Sequence, residues 1–235
     1  MAIERYLAMT AAEIAACEAL PDMLGYMACH FSPYGTGLSN CPASLPEGAI
    51  LIVNDRIPLR GHDPGQILVQ LRELTEKFHC GSVLLDFERR GSGEAADLAE
   101  LLAEELACPV GVSAAYAQGL PCPVFLPPVP CDTPPEEYLA PWSGREIWLE
   151  TGLVGMGITL TPEGACSSPQ FLFEQNHPVH HDKGLHCHYQ ILAAGAVRFS
   201  FHRRPEDLEA LLKEAEALGV TRAIGLYQEL RGLWT

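Results

Sequence analysis

Short apolar segments recur along the chain, and most of them end in polar residues or glycine. Eight segments have the length and apolar content of buried β-strands. Their apolar character is nearly continuous, which is typical of strands in a parallel sheet that is covered on both faces. By residue number the predicted strands are 25–32, 49–55, 82–88, 109–116, 123–128, 146–150, 196–202 and 222–229.

Amphipathic patterns with readable start signals predict helices between several of these strands. Thr10 with Glu13, and Thr133 with Glu136, have the spacing of capping boxes, in which side chain and backbone satisfy each other's hydrogen bonds. The first of these predicts an N-terminal helix before the first predicted strand. The other predicted helices follow Asp63, Ser92, Thr133 and Arg204.

Eight strands that alternate with helices in 235 residues predict an α/β fold, a compact (β/α)8 TIM barrel that forms one domain over residues 1–235. An open doubly wound sheet is the alternative. It is less favoured because Gly35 and Gly37 lack the third glycine of a dinucleotide-binding turn. Residues 151–189, between the sixth and seventh predicted strands, are too long for an ordinary connection and predict an irregular excursion with a β-hairpin.

Charge and cysteine content narrow the range of partners. The formal net charge of -15 predicts that neither nucleic acid nor an acidic membrane surface is a partner. The chain contains nine cysteines and no C-x-x-C pair, and charged residues interrupt its N-terminal segment. We therefore expect free thiols and a cytoplasmic location. No heptad or interface pattern predicts an oligomeric state.

Two acids follow the apolar run of the third predicted strand. Successive side chains of a strand alternate between its faces, so Leu84, Asp86 and Glu88 share one face. In a barrel that face points to the axis, and the active site forms at the C-terminal ends of the strands. Neighbouring carboxylates that lose water also shift each other's pKa, as general acid chemistry requires. Asp86 and Glu88 are therefore predicted to be catalytic.

The segment "LLDFE" resembles the end of the D-x-x-D-x-D-x-E strand of chitinase-like glycoside hydrolases of family eighteen, which are (β/α)8 barrels. The resemblance implies that Glu88 is the general acid and that Asp86 orients the N-acetyl group of the substrate, whose carbonyl oxygen is the nucleophile. It implies a carbohydrate substrate and no cofactor. The chain departs from the pattern at Leu84 and Gly81, where the family has aspartates. The family strand is also usually the fourth, whereas this one is the third predicted strand.

Other polar residues end the predicted strands and extend the expected site. Glu150 is the best second carboxylate, which a glycosidase mechanism uses as a base or nucleophile. Trp142, Trp148 and Tyr116 are candidate aromatic platforms for a sugar. The residues predicted to bind substrate are His30, Asp55, Tyr116, His202, Tyr227 and Gln228.

A histidine-rich stretch from His177 to His188 supports a different class of enzyme. His186 and His188 form an H-x-H pair, which on a strand places both imidazoles on one face, as in zinc sites of barrel hydrolases. The alternative is thus a metal-dependent hydrolase in which His186, His188 and Asp182 bind zinc. A third hypothesis is a non-catalytic barrel that binds a sugar or a protein, which the leucine at position 84 favours.

Overall fold

The computed structural model describes residues 2–35, 37–162, 164–169, 173–193 and 196–234. The strands are β1 (Glu4–Met9), β2 (Leu24–Phe31), β3 (Leu38–Ser39), β4 (Ile50–Asn54), β5 (Ser82–Asp86), β6 (Val110–Ser113), β7 (Val124–Leu126), β8 (Ile147–Thr151), β9 (Gly155–Thr161), β10 (Gly164–Ser168), β11 (His180–Asp182), β12 (Cys187–Ala193), β13 (Val197–His202) and β14 (Val220–Leu226). The α-helices are α1 (Ala11–Ala16), α2 (Pro64–Phe78), α3 (Gly93–Glu105), α4 (Pro135–Leu139), α5 (Pro205–Ala217) and α6 (Tyr227–Leu230), and a 3-10 turn covers Ala140–Trp142.

Eight parallel strands close into a barrel surrounded by helices. Around the barrel their order is β1, β14, β8, β7, β6, β5, β4 and β2, and β2 pairs back with β1. The predicted (β/α)8 TIM barrel is therefore confirmed. In the described part of the chain, the helices are all too short or too polar to cross a bilayer.

Two of the strand predictions need correction. The first barrel strand is β1, which the sequence pattern did not reveal because only its last four residues are buried and a helix cap follows directly. The predicted strand 196–202 is β13, which belongs to a second sheet outside the barrel. Its burial is uneven along its length, as expected of a strand with one face in contact with water. Counted with β1, β5 is the fourth barrel strand.

The barrel interior is filled by apolar side chains that point inward from six of the strands. Trp148 of β8 is fully buried there and lies against Gly111 of β6, on the far side of β7. A Cβ atom at Gly111 would lie only 2.2 Å from the Trp148 ring, so this position has no room for a side chain. The interior cluster consists of Tyr6, Ala8, Ile50, Ile52, Leu84, Phe125, Trp148 and Ile224.

The excursion predicted for residues 151–189 is larger than expected. It forms an antiparallel sheet in the order β10-β9-β13-β12-β11, placed between the seventh and eighth barrel strands, β8 and β14. The predicted hairpin is present as β9 and β10, which pair from Thr161 and Gly164 outward. We call this five-stranded unit the inserted sheet.

The helix start signals were mostly correct. Thr10 and Glu13 form the predicted capping box of α1, and the Asp63 carboxylate accepts a hydrogen bond from the N–H of Gly65 in α2. The box predicted at Thr133 is wrong. Helix α4 begins after Pro134 without a side-chain cap, because the Thr133 hydroxyl donates to the neighbouring Asp132 instead.

Candidate active site

The C-terminal mouth of the barrel holds a cleft of about 310 Å³ that contains three carboxyl groups. Leu84 of β5 and Trp148 of β8 point into the barrel interior. Asp86 and Glu150 follow them by two residues, and alternation therefore carries both carboxyl groups to the mouth. The cleft is lined in part by Asp86, Glu88, Arg90, Ser113, Phe125 and Glu150. Asp86, Glu88 and Glu150 thus lie together in one cleft, as the sequence led us to expect.

The environment of the cleft favours the protonated forms of Asp86 and Glu150. Burial raises the pKa of Asp86 to about 7, and the nearby charges of Glu150, Glu88 and Asp55 contribute to this rise. Burial also raises the pKa of Glu150, with smaller contributions from Glu88 and Glu229. Within the described residues, no hydrogen bond or ion pair engages the side chains of Asp86, Glu88 or Glu150. Asp86 therefore loses its proton at a much higher pH than an aspartate in water does.

Asp55, at the end of β4, holds the loop that carries Glu88. Its carboxylate is buried and accepts hydrogen bonds from the backbone N–H of Glu88 (3.0 Å) and of Arg89 (2.8 Å). The Arg89 guanidinium donates in return to the Asp55 carbonyl oxygen at 2.9 Å. Both carboxylate oxygens of Asp55 are therefore engaged with the loop backbone. Its role in the structure is to position Glu88, where the sequence predicted substrate binding.

Ser113, at the end of β6, supports the segment between the two acids and was not among the residues predicted from the sequence. Its hydroxyl accepts a hydrogen bond from the Phe87 N–H at 2.9 Å and donates to the Leu85 carbonyl oxygen at 3.0 Å. A polar residue within an apolar strand is the signal that could have identified it. Together with Asp55, Ser113 restrains the backbone on both sides of Asp86 and Glu88.

The predicted aromatic platforms do not line this cleft. Tyr116 is buried, with its ring edge-on to Phe87 at 5.9 Å and its hydroxyl donating to the Arg89 carbonyl oxygen. Trp148 is enclosed in the barrel, and Trp142 is half-buried beside Arg145. The first two rings pack inward because each has apolar neighbours within the core. Phe87 and Phe125 are the aromatic residues that line the described part of the cleft instead.

Most of the other predicted substrate-binding residues lie away from the cleft. The His30 ring contacts the Phe31 carbonyl oxygen (2.7 Å) and the Asn40 side chain (3.0 Å). The Tyr227 hydroxyl lies 3.3 Å from the Cys17 sulfur. Gln228 is exposed on the short helix α6.

His202 also lies elsewhere, because its strand is part of the inserted sheet. Its ring packs edge-on against Phe173 with centroids 4.2 Å apart, and its Nε2 accepts a hydrogen bond from Arg204 at 3.2 Å. Burial lowers the pKa of His202. The prediction that His202 ends a barrel strand is therefore wrong.

The two departures from the chitinase pattern have local structural causes. A Cβ atom at Gly81 would lie 2.7 Å from the Gly48 carbonyl oxygen, so close backbone packing leaves no space for an aspartate. Leu84 is buried in the apolar barrel interior directly below Asp86 along the strand. Asp86 thus has an apolar floor where the family has a further carboxylate. This floor contributes to the burial that raises its pKa.

His186, His188 and Asp182, which the sequence predicted to bind zinc together, do not form one site. His186 has a left-handed backbone with φ of 47°, and its Nε2 lies 2.7 Å from Glu214. His188 is on β12, and its Nδ1 lies 2.8 Å from Asp207. Asp182 accepts backbone hydrogen bonds within the following turn. The H-x-H prediction required an extended backbone at both histidines, and the left-handed residue breaks that pattern.

Comparisons with known proteins reveal similarity in structure alone. No protein-family model matches the chain, and no curated protein is significantly similar in sequence. The chitinase from Chromobacterium violaceum has a TM-score of 0.61 at 12% identity, over 99% of this chain and 97% of that one. The chitinase-like agglutinin from Robinia pseudoacacia has a TM-score of 0.61 at 10% identity, over 94% and 93%.

A family eighteen chitinase from Cycas revoluta, solved in complex with (GlcNAc)3, has a TM-score of 0.58 at 10% identity, over 94% of each chain. At these identities the comparison establishes a common fold. The predicted resemblance to chitinase-like glycoside hydrolases is therefore confirmed at the level of the TIM-barrel fold.

Proposed function

We propose that this protein hydrolyses an N-acetylated glycoside in the cleft at the barrel mouth, with Glu88 as general acid. The observation that carries the proposal is that Asp86 and Glu150, on the face that the strand alternation requires, meet Glu88 of the loop after β5 in one cleft. The fold shared with chitinases supports it. The substrate class is taken from the family resemblance of the Asp86–Glu88 pair and from the sugar bound to the Cycas revoluta enzyme.

Each carboxyl group has a distinct part in the proposed reaction. Glu88 donates its proton to the glycosidic oxygen as the bond to the anomeric carbon breaks. Asp86 orients the N-acetyl group of the substrate, whose carbonyl oxygen forms the new bond to that carbon. Water then opens the cyclic intermediate and returns a proton to Glu88. Glu150 contributes negative charge that stabilises the cationic transition state and keeps a proton on Asp86.

Glu88→Gln tests the assignment, since the amide keeps the shape of the side chain and cannot donate a carboxylic proton. We expect turnover of an aryl N-acetylglucosaminide or of (GlcNAc)3 to fall by about a hundredfold or more, with an unchanged circular dichroism spectrum. The matched control is Glu100→Gln on the exposed side of α3, which should retain full turnover. Equal turnover by Glu88→Gln and the wild type would refute the role of Glu88.

A carbohydrate-binding barrel without hydrolytic activity is the second candidate. The observations that favour it are the apolar Leu84 and the glycine at position 81 in place of aspartates, and the similarity to an agglutinin. Calorimetric titration with (GlcNAc)3 separates the two functions. Binding without any product, retained in Glu88→Gln, would favour the binding protein, whereas product formation that depends on Glu88 would favour the enzyme.

A further inference from the structure

Two histidines and one aspartate converge where the inserted sheet meets α5. His181 of β11 and His188 of β12 are directly opposite each other in the antiparallel register, so their side chains share one face. Their rings stack with centroids 4.6 Å apart. Both reach Asp207 in the first turn of α5, with His181 Nε2 at 2.9 Å from Oδ1 and His188 Nδ1 at 2.8 Å from Oδ2.

The three side chains have the chemistry and spacing of a metal site. One ligand atom from each residue lies within 4.8 Å of the other two. Ligands bonded to Zn²⁺ at about 2.0–2.2 Å in a tetrahedron lie about 3.3 Å apart, so small rotations of the two rings would admit an ion. Two imidazoles and a carboxylate are also a donor set that suits zinc and related divalent ions.

The surroundings are suited to hold the ligands and admit the ion. Asp207 is only 3% exposed, and its Oδ2 also accepts a hydrogen bond from the Arg204 N–H at 2.9 Å, which orients the carboxylate. The His181 side chain is 40% exposed, which leaves one side open to the ion and to a water ligand. The strongly negative charge of the chain favours the approach of a cation.

We propose that His181 Nε2, His188 Nδ1 and the Asp207 carboxylate bind a divalent transition-metal ion, best matched by Zn²⁺, with water as a fourth ligand. Each imidazole binds as the neutral base, with its proton on the other ring nitrogen. Zn²⁺ does not change its oxidation state, so binding involves no redox step. The ion joins two strands of the inserted sheet to α5 of the barrel. It acts as a structural clamp, because none of its ligands lines the carboxylate cleft.

Untagged protein, freed of metal with EDTA and desalted, provides the direct test. Calorimetric titration with Zn²⁺ should yield one ion per chain, and His181→Gln and His188→Gln should each weaken binding at least about tenfold. His180→Gln and His186→Gln are matched controls from the same stretch that should bind as the wild type does. Zn²⁺ should also raise the Tm of the wild type and not that of His188→Gln.

The outcomes distinguish a built site from adventitious binding and from a cysteine site. Wild-type affinity in both His181→Gln and His188→Gln would mean an adventitious ion only, and would overturn the proposal. Cys41 is an exposed free thiol that could compete for the ion. Co²⁺ bound without a thiolate charge-transfer band, and equally in Cys41→Ser, would support nitrogen and oxygen ligands, whereas a thiolate band would assign the ion to cysteine and overturn the site. If His188→Gln fails to fold, the exposed His181→Gln alone decides.

Discussion

Asp86 is predicted to destabilise the folded protein at neutral and alkaline pH, and Asp86→Asn should therefore increase stability there. The carboxyl group has a pKa of about 7 in the folded chain, chiefly because it is buried, against an ordinary value of 3.8. An asparagine has the same shape and carries no charge at any pH. The substitution therefore removes the free energy required to ionise a buried acid and leaves the packing nearly unchanged.

The sign and size of the effect follow from proton linkage. The folded state holds its proton on Asp86 more tightly than the unfolded state does, so stability is lost as pH rises from the unfolded pKa to the folded one. A rise of about three pH units, at about 1.4 kcal/mol each, corresponds to about 4 kcal/mol above pH 7. Between about pH 5 and pH 8, the stability advantage of Asp86→Asn over the wild type should grow by roughly 2 to 3 kcal/mol.

Urea denaturation of both proteins at several pH values measures this advantage directly. Asp97→Asn, an exposed substitution on α3, is the matched control and should show a difference from the wild type that hardly changes with pH. The reasoning about burial would be refuted if the advantage of Asp86→Asn were constant from pH 5 to pH 8, or if it declined. Loss of glycosidase turnover in the same variant is expected and does not enter this test.

Two further substitutions test the support of the Glu88 loop and the packing of the barrel interior. Asp55→Asn removes the charged acceptor that holds the Glu88 loop, so kcat should fall about tenfold or more with little change in KM. Steady-state kinetics on an aryl N-acetylglucosaminide measure both constants, and an unchanged kcat would contradict the positioning role. Gly111→Ala places a methyl group 2.2 Å from the Trp148 ring and should lower the free energy of unfolding, measured by urea denaturation, by about 1–3 kcal/mol. Wild-type stability in this variant would contradict the tight packing of the barrel interior.

Asp86 and Glu150 illustrate what can be predicted from local pattern. The two-residue period of a strand requires Leu84 and Asp86 to share a face, and a barrel places that face at its mouth. Strand β5 ends at Asp86, so Glu88 lies in the following loop, which Asp55 holds. The same alternation places Glu150 in the cleft, because it lies two residues beyond the buried Trp148 on β8. These placements needed the strand and its direction, and both can be read from the sequence.

The supporting residues could not be assigned in that way. Asp55 and Tyr116 are polar residues at strand ends, which made them reasonable substrate-binding candidates. Their hydrogen-bond partners lie more than twenty residues away, in the loop after β5. A single sequence contains no information on which distant backbone group will come within hydrogen-bond distance. The same limit applies to His181 and Asp207, which belong to different layers of the fold.

The sequence by itself determined the (β/α)8 architecture, the helix starts at Asp63 and Thr10, and the orientation of Asp86 and Glu150, because these depend on periodicity and on contacts within a few residues. The tertiary structure alone decided that β1 closes the barrel, that β13 joins a separate sheet and that Asp86 lies on an apolar floor. Strand pairing and burial depend on residues far apart in the chain. They become defined only when the whole chain packs and water is excluded.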